Sequence, residues 1–102
     1  MTDRKQILIE EQAEIHQILS NPSRLLILHL LGEREMSVGE LAEQIGASLQ
    51  NTSQHLRLMR DKGVLETRRD GQTIFYQIAV NEISENCKRM LTCLENENAT
   101  PN

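Results

Sequence analysis

A short segment near the middle of the chain carries amide, hydroxyl and guanidinium side chains at helical spacing. Its polar members are Gln50, Asn51, Ser53, Gln54 and Arg57. On a helix they lie away from the side that holds Thr52, Leu56 and Met59, which must pack inward. The amides of Gln and Asn can form paired hydrogen bonds with adenine, and Arg can do so with guanine. This chemistry predicts a helix whose outer face reads base edges.

The same pattern also fits an ordinary amphipathic helix with a hydrated polar face. Two neighbours extend the candidate site. Ser48 precedes the helix and can cap it, and His55 is expected to support the helix or to contact phosphate rather than a metal ion. The neighbouring elements favour a helix that recognises bases over an ordinary amphipathic helix, because a short capped helix precedes it and a hairpin follows it.

That hairpin is the second candidate contact region. Residues 64–69 and 73–78 are rich in β-formers, and Asp70-Gly71 between them predicts a two-residue turn. The side chains that flank the turn are Arg68, Arg69, Gln72 and Thr73. They can reach phosphates or the minor groove of a duplex. The alternative is a solvated edge hairpin protected by its charges.

The formal net charge of −4 argues against nucleic-acid binding when the chain is taken as a whole. The distribution of charge argues the other way. The segment 55–69 contains Arg57, Arg60, Lys62, Arg68 and Arg69 against only Asp61 and Glu66. The candidate helix and hairpin therefore form a basic stretch in an acidic protein, although a mixed charged surface would also fit.

The first half of the chain supplies the elements that must hold this stretch. Apolar spacing predicts a helix over residues 3–19 and a nearly all-apolar helix that begins at Asn21-Pro22. Ser37 and Glu40 form a capping box for a short third helix, which Gly46 ends.

The second half completes the fold. The candidate reading helix covers residues 49–62, and after the hairpin Asn81 caps a last helix with one apolar stripe. We therefore predict a mainly α fold with a two-stranded β-hairpin, the winged helix-turn-helix arrangement. Residues 1–95 form a single domain, and residues 96–102 are expected to be a flexible tail.

The sequence contains no targeting or membrane signal that we can identify. Its start is charged rather than apolar, and the longest apolar stretch, residues 25–31, is far shorter than the ~20 residues of a membrane span. We expect a cytoplasmic protein without a membrane partner, in which Cys87 and Cys93 are reduced.

Cys87 and Cys93 are the candidate sensor residues. Their separation on one helix corresponds to ~9 Å of rise and ~120° of rotation, so a bridge within the helix would require unwinding. A bridge between two subunits stays open, as does a soft metal ion bound in part by Cys93. The alternatives are a small core residue for Cys87 and an inert thiol for Cys93. We predict no cofactor and no complete metal site.

The sequence also separates three classes of function. It has no nucleophile–base pair, no glycine-rich phosphate loop and no closed set of metal ligands, so we predict that it is not an enzyme. A DNA-binding regulator is the leading hypothesis. The alternative is a winged-helix module that binds proteins and has lost affinity for DNA, which the acidic balance would allow.

Four segments in the same order resemble the ArsR/SmtB family of winged helix-turn-helix repressors. They are residues 21–28, 37–43, 53–65, and 70–72 with 76–78, within a similarity that covers about residues 12–94. The resemblance implies a homodimer joined mainly by the first and last helices. It also implies repression of transcription, relieved by an inducer. The leading hypothesis is therefore a dimeric repressor that binds a palindromic operator in double-stranded DNA.

The resemblance also indicates where family members that sense metals would carry their ligands. A Cys-Val-Cys metal site of the family falls here on Ser37 and Gly39, and a second ligand set falls on Val80, Glu82, Cys93 and Asn96. Ser37 and Gly39 supply no thiolate, so the first site is absent, and because Val80 cannot ligate, a zinc site of the second type is incomplete. A thiol-sensing branch is more similar over residues 32–47, but His29 stands where its second-helix cysteine is expected. Thiol oxidation, a soft metal ion and no inducer at all stay open.

Overall fold

The computed structural model describes the backbone of residues 3–99 and the side chains of residues 3–93. Five helices and three strands follow one another along these residues. They are α1 (Arg4–Leu19), α2 (Pro22–Leu31), β1 (Met36–Ser37), α3 (Val38–Ile45), α4 (Leu49–Asp61), β2 (Leu65–Asp70), β3 (Thr73–Ile78) and α5 (Glu82–Ala99). The helical order matches the sequence prediction.

Capping side chains set where the helices begin. The Asn21 carboxamide oxygen accepts the backbone N–H groups of Ser23 and Arg24 at 2.9 and 3.2 Å, so α2 starts at Pro22. At α3 the predicted capping box is present, since the hydroxyl of Ser37 accepts the Glu40 N–H while the Glu40 carboxylate accepts the Ser37 N–H. Each cap satisfies backbone donors that the helix itself cannot pair.

The sheet has three strands in the antiparallel order β1-β3-β2, so the prediction of a two-stranded hairpin was incomplete. The hairpin pairs Leu65 with Ile78 at its base and Asp70 with Thr73 at its tip. The added strand pairs Met36 with Tyr76 and Ser37 with Phe75. A strand of two residues has no periodicity that a sequence pattern can reveal, and it forms because the third helix is docked beside the hairpin.

The core is almost entirely aliphatic. It joins all five helices to the base of the sheet, and its buried members are Ile15, Ile18, Leu19, Ile27, Leu28, Leu31, Met36, Leu41, Leu56, Met59, Val64, Leu65 and Cys87. The three residues predicted to anchor α4, Thr52, Leu56 and Met59, are all buried, as the helical spacing required. Burial of this kind supplies the main favourable term in folding.

The last helix begins after its predicted capping residue. Asn81 caps it, because its side-chain oxygen accepts the Ser84 N–H at 2.8 Å. The backbone of α5 continues through Ala99. The flexible tail expected at residues 96–102 stays a prediction, and residues 100–102 lie outside the described residues. Within the part of the chain that the structure describes, no helix is long and apolar enough to cross a membrane.

Candidate nucleic-acid interface

The turn between α3 and α4 sets the position of the candidate reading helix. Gly46 adopts a left-handed conformation with φ 70°, and its N–H donates to the Ala42 carbonyl to close α3. Ser48 then caps α4 by accepting the Asn51 N–H at 3.0 Å. Since a residue with a Cβ rarely adopts this backbone conformation, glycine is what allows the chain to turn so tightly here.

One side of α4 is held firmly inside the protein. Leu56 and Met59 are fully buried, and the buried Thr52 hydroxyl donates to the Ser48 carbonyl at 2.8 Å. The opposite side faces outward. The predicted contact residues that are exposed there are Ser48, Gln50, Asn51, Gln54 and Arg57, and Ser53 is half-buried beside them. The described part of the chain therefore leaves this polar face uncovered.

His55 lies on the inner flank of α4 and not with the exposed contact residues. Its half-buried ring turns toward α2, where Nδ1 lies 3.4 Å from the Arg24 Nη1. A guanidinium can only donate, so Nδ1 accepts and the ring proton sits on Nε2. Burial, and then the charge of Arg24, lower the pKa of His55. The geometry thus supports the structural role that was one of its two predicted roles.

Arg24 is a positioning residue that the sequence analysis did not identify. Its guanidinium donates to the carbonyls of Gln17 at 2.8 Å and Ile18 at 3.1 Å, at the end of α1. Together with the contact to His55, it ties α1, α2 and α4 to one another. No local pattern marks such a residue, because its partners lie on other helices.

The tip of the hairpin differs from the prediction by one residue. Asp70 pairs with Thr73, so the two turn residues are Gly71 and Gln72 rather than Asp70 and Gly71. Gly71 has φ 64° and Gln72 does not have a positive φ, which is the requirement of a type II′ turn with glycine first. Arg69, Gln72 and Thr73 are exposed around this tip.

Arg68 is engaged within the protein. Its Nε donates to the Glu35 carboxylate at 3.0 Å and its Nη2 to the other oxygen, while its guanidinium lies 4.9 Å from the centre of the Phe75 ring. The hydrogen bond from Arg68 lowers the pKa of Glu35. Arg68 lies on the wing as predicted, but its guanidinium already forms two hydrogen bonds with the carboxylate of Glu35.

Among the other basic residues predicted to form the basic stretch, one is paired with a carboxylate and three are not. Lys62 pairs with Glu14 at 3.3 Å. Among the side chains of residues 3–93, no carboxylate pairs with Arg57, Arg60 or Arg69. These three cations are exposed on α4 and on the wing. Elsewhere among these side chains Arg4, Lys5, Arg24 and Arg89 also have no carboxylate partner. The unpaired charges on α4 and on the wing are the ones that a phosphate backbone at the candidate interface would meet.

The two candidate sensor thiols have opposite surroundings. Cys87 is 1% exposed and lines a cavity of about 300 Å³ with Leu28, Val64 and Leu91. This burial raises the pKa of its thiol to about 11. Cys93 is exposed. Among the described residues, no three His, Cys, Asp or Glu side chains come together as a metal site.

Comparison with known proteins supports the same architecture. A family model described as a helix-turn-helix domain matches residues 19–68. The homodimeric winged helix-turn-helix domain of Mb0332 from Mycobacterium bovis, described as a possible ArsR-family transcriptional regulator, superposes with a TM-score of 0.78 at 31% identity and covers 96% of this chain and 87% of that one. The chain belongs to the ArsR/SmtB family. The resemblance inferred from the sequence is thereby confirmed.

Two further relatives are informative about the family's function. The transcriptional repressor BigR of Xylella fastidiosa has a TM-score of 0.76 at 32% identity, over 95% of this chain and 96% of that one. KmtR, a transcriptional regulator of Mycobacterium tuberculosis, is 46% identical over 65 residues, which are 64% of this chain and 50% of KmtR. The chain thus spans about half the length of that relative. These relatives are regulators rather than enzymes, in agreement with the sequence prediction.

Proposed function

We propose that this protein is a cytoplasmic repressor that binds double-stranded DNA as a homodimer. The observation that carries the proposal is the exposed polar face of α4, whose opposite side is anchored by Thr52, Leu56 and Met59. A helix held in this way can enter the major groove with its N-terminal residues against the bases. Arg69 and the wing tip would contact the flanking backbone.

Exposed apolar side chains on α1 support the homodimer. Ile7, Leu8 and Ile9 are each more than half exposed, at 52%, 52% and 57%. Leu8 also lines a cavity of about 300 Å³ between α1 and α5, together with Ile15 and Met90. Burial of these side chains against a second copy would remove apolar area from water. A two-fold dimer would place two α4 helices on an inverted repeat, with half-sites about one helical turn apart.

The proposal is tested by selecting duplexes from a randomised library with the full chain and measuring their affinity at several salt concentrations. We expect an enriched inverted repeat whose log K falls linearly with log salt, because Lys and Arg that neutralise phosphates release counterions. If no sequence is enriched and binding does not depend on salt, the DNA-binding function is wrong. The result would then favour the alternative, a module that binds other proteins.

The two wing arginines provide a matched pair of variants. Arg69→Ala is expected to weaken binding to all duplexes to a similar extent and to make the salt slope shallower by about 0.9 per lost phosphate contact. Arg68→Ala is expected to change the slope less, because Glu35 already neutralises that guanidinium. Titrations of both variants against the selected duplex and a scrambled duplex measure this. A loss limited to the selected sequence would argue against a phosphate-contacting wing.

If a thiol senses the inducer, we propose that it is Cys93. At pH 7–8 the exposed Cys93 should react with Ellman's reagent within the native protein, whereas Cys87 should react only after unfolding in urea, since its pKa is about 11. The Cys93→Ser variant should therefore show almost no labelling in the native state, and Cys87→Ser should label like the wild type. Rapid native labelling of Cys93→Ser would contradict this assignment.

A further inference from the structure

The first residue of α4 is an exposed leucine among polar neighbours. Leu49 has 59% of its surface exposed and follows the capping residue Ser48 directly. Its chain neighbour Gln50 is exposed. The half-buried Ser53 and the buried Leu56 follow four and seven residues later on the same side of the helix, so Leu49 lies at the edge of the polar face. Leu49 was not among the residues predicted to contact DNA. Isolated exposed leucines are common on protein surfaces, and what distinguishes Leu49 is its position at the start of α4.

We propose that Leu49 contacts the C5-methyl group of a thymine in the major groove and thereby selects thymine at one position of each half-site. This inference rests on the proposed DNA-binding function. The N-terminal end of a recognition helix is the part that comes closest to the bases. Leucine has no hydrogen-bond donor or acceptor on its side chain, and the thymine methyl is the apolar group among the base edges of that groove.

The surroundings of Leu49 also explain why the contact would be selective. Gln50 and Gln54 can satisfy polar base edges, so the groove would not lose hydrogen bonds where the leucine lies. A cytosine at the same position would present an amino group to an apolar side chain, and that group would lose water without gaining a partner. Leu49 would therefore favour thymine both by contact and by excluding the alternative.

The experiment uses the full chain and the duplex enriched in the selection described above. Thymines are replaced by deoxyuridine, one position at a time in both half-sites, which removes only the C5-methyl group. We expect wild-type affinity to fall roughly three- to tenfold at one position, as the loss of a buried methyl contact predicts. Leu49→Ala should bind the unmodified duplex more weakly and lose this sensitivity, so the thymine and uracil duplexes become equivalent.

Val80→Ala is the matched control, because Val80 is an apolar side chain that is 89% exposed outside α4. It should keep wild-type affinity and wild-type sensitivity to the methyl group. The inference is overturned if no thymine position responds to the replacement, or if Leu49→Ala responds as the wild type does. Either result leaves the proposed function intact, whereas failure to select any duplex would remove the basis for both.

Discussion

Replacing Gln54 by alanine is expected to reduce affinity for the selected duplex by about 1–3 kcal/mol and to broaden its sequence preference. Gln54 is exposed on the outward side of α4, one turn after Gln50 and three residues before Arg57. Its carboxamide can pair with the N6 and N7 positions of adenine, and alanine at this position leaves those base groups without partners.

The measurement is a comparison of affinities for the selected duplex and for duplexes with single substitutions at each position. Gln54→Ala should bind them more equally, with the change concentrated at one position of each half-site. Gln17→Ala serves as the control, since that side chain is exposed on α1 and the substitution keeps the backbone carbonyl that accepts from Arg24. Unchanged affinity and unchanged preference in Gln54→Ala would show that this residue does not read a base.

The second large effect is expected on stability. Leu56→Ala should lower the free energy of unfolding by about 2–5 kcal/mol, as truncation of a buried leucine generally does. Leu56 is 0% exposed, and it belongs to the core cluster that holds α4 against the rest of the protein. The loss combines the apolar area returned to water with the cavity that the neighbouring side chains cannot fill.

Leu49→Ala provides a matched control on the same helix. Because Leu49 is exposed and alanine is a good helix former, this substitution should change stability by no more than about 0.5 kcal/mol. Urea denaturation of both variants and the wild type at one fixed protein concentration gives the comparison, since the stability of a dimer depends on concentration. Equal destabilisation by the two substitutions would contradict the assignment of one side of α4 to the core.

The pair of leucines also separates two ways of losing DNA binding. Leu56→Ala would act by loosening the helix, so its effect on affinity should diminish at low temperature or low denaturant where the fold persists. Leu49→Ala would act at the DNA surface and leave the fold unchanged. Measuring stability and affinity on the same variants therefore distinguishes a contact residue from a residue that positions the contact face.

The starts of four helices and the inward side of α4 could be predicted from the sequence, because their signals are local. Asn21, Ser37, Ser48 and Asn81 cap the helices they precede, and each bonds to backbone within two or three residues. The period of 3.6 residues likewise placed Thr52, Leu56 and Met59 on one side. The predicted position of the wing turn was wrong by one residue. Both Asp-Gly and Gly-X are favourable turn pairs, and the strand pairing determines which of them forms the turn.

Local sequence patterns do not reveal which polar side chains of the site already have partners within the protein. Arg24 is hydrogen-bonded to His55, which lies 31 residues further along the chain, and Arg68 is hydrogen-bonded to Glu35, which lies 33 residues earlier. Strand β1 exists because residues Met36 and Ser37 are brought beside β3. The two side-chain contacts and the strand pairing share one cause. Hydrogen bonds and ion pairs between distant segments depend on how the helices pack, and the spacing of residues within one segment does not reveal that packing.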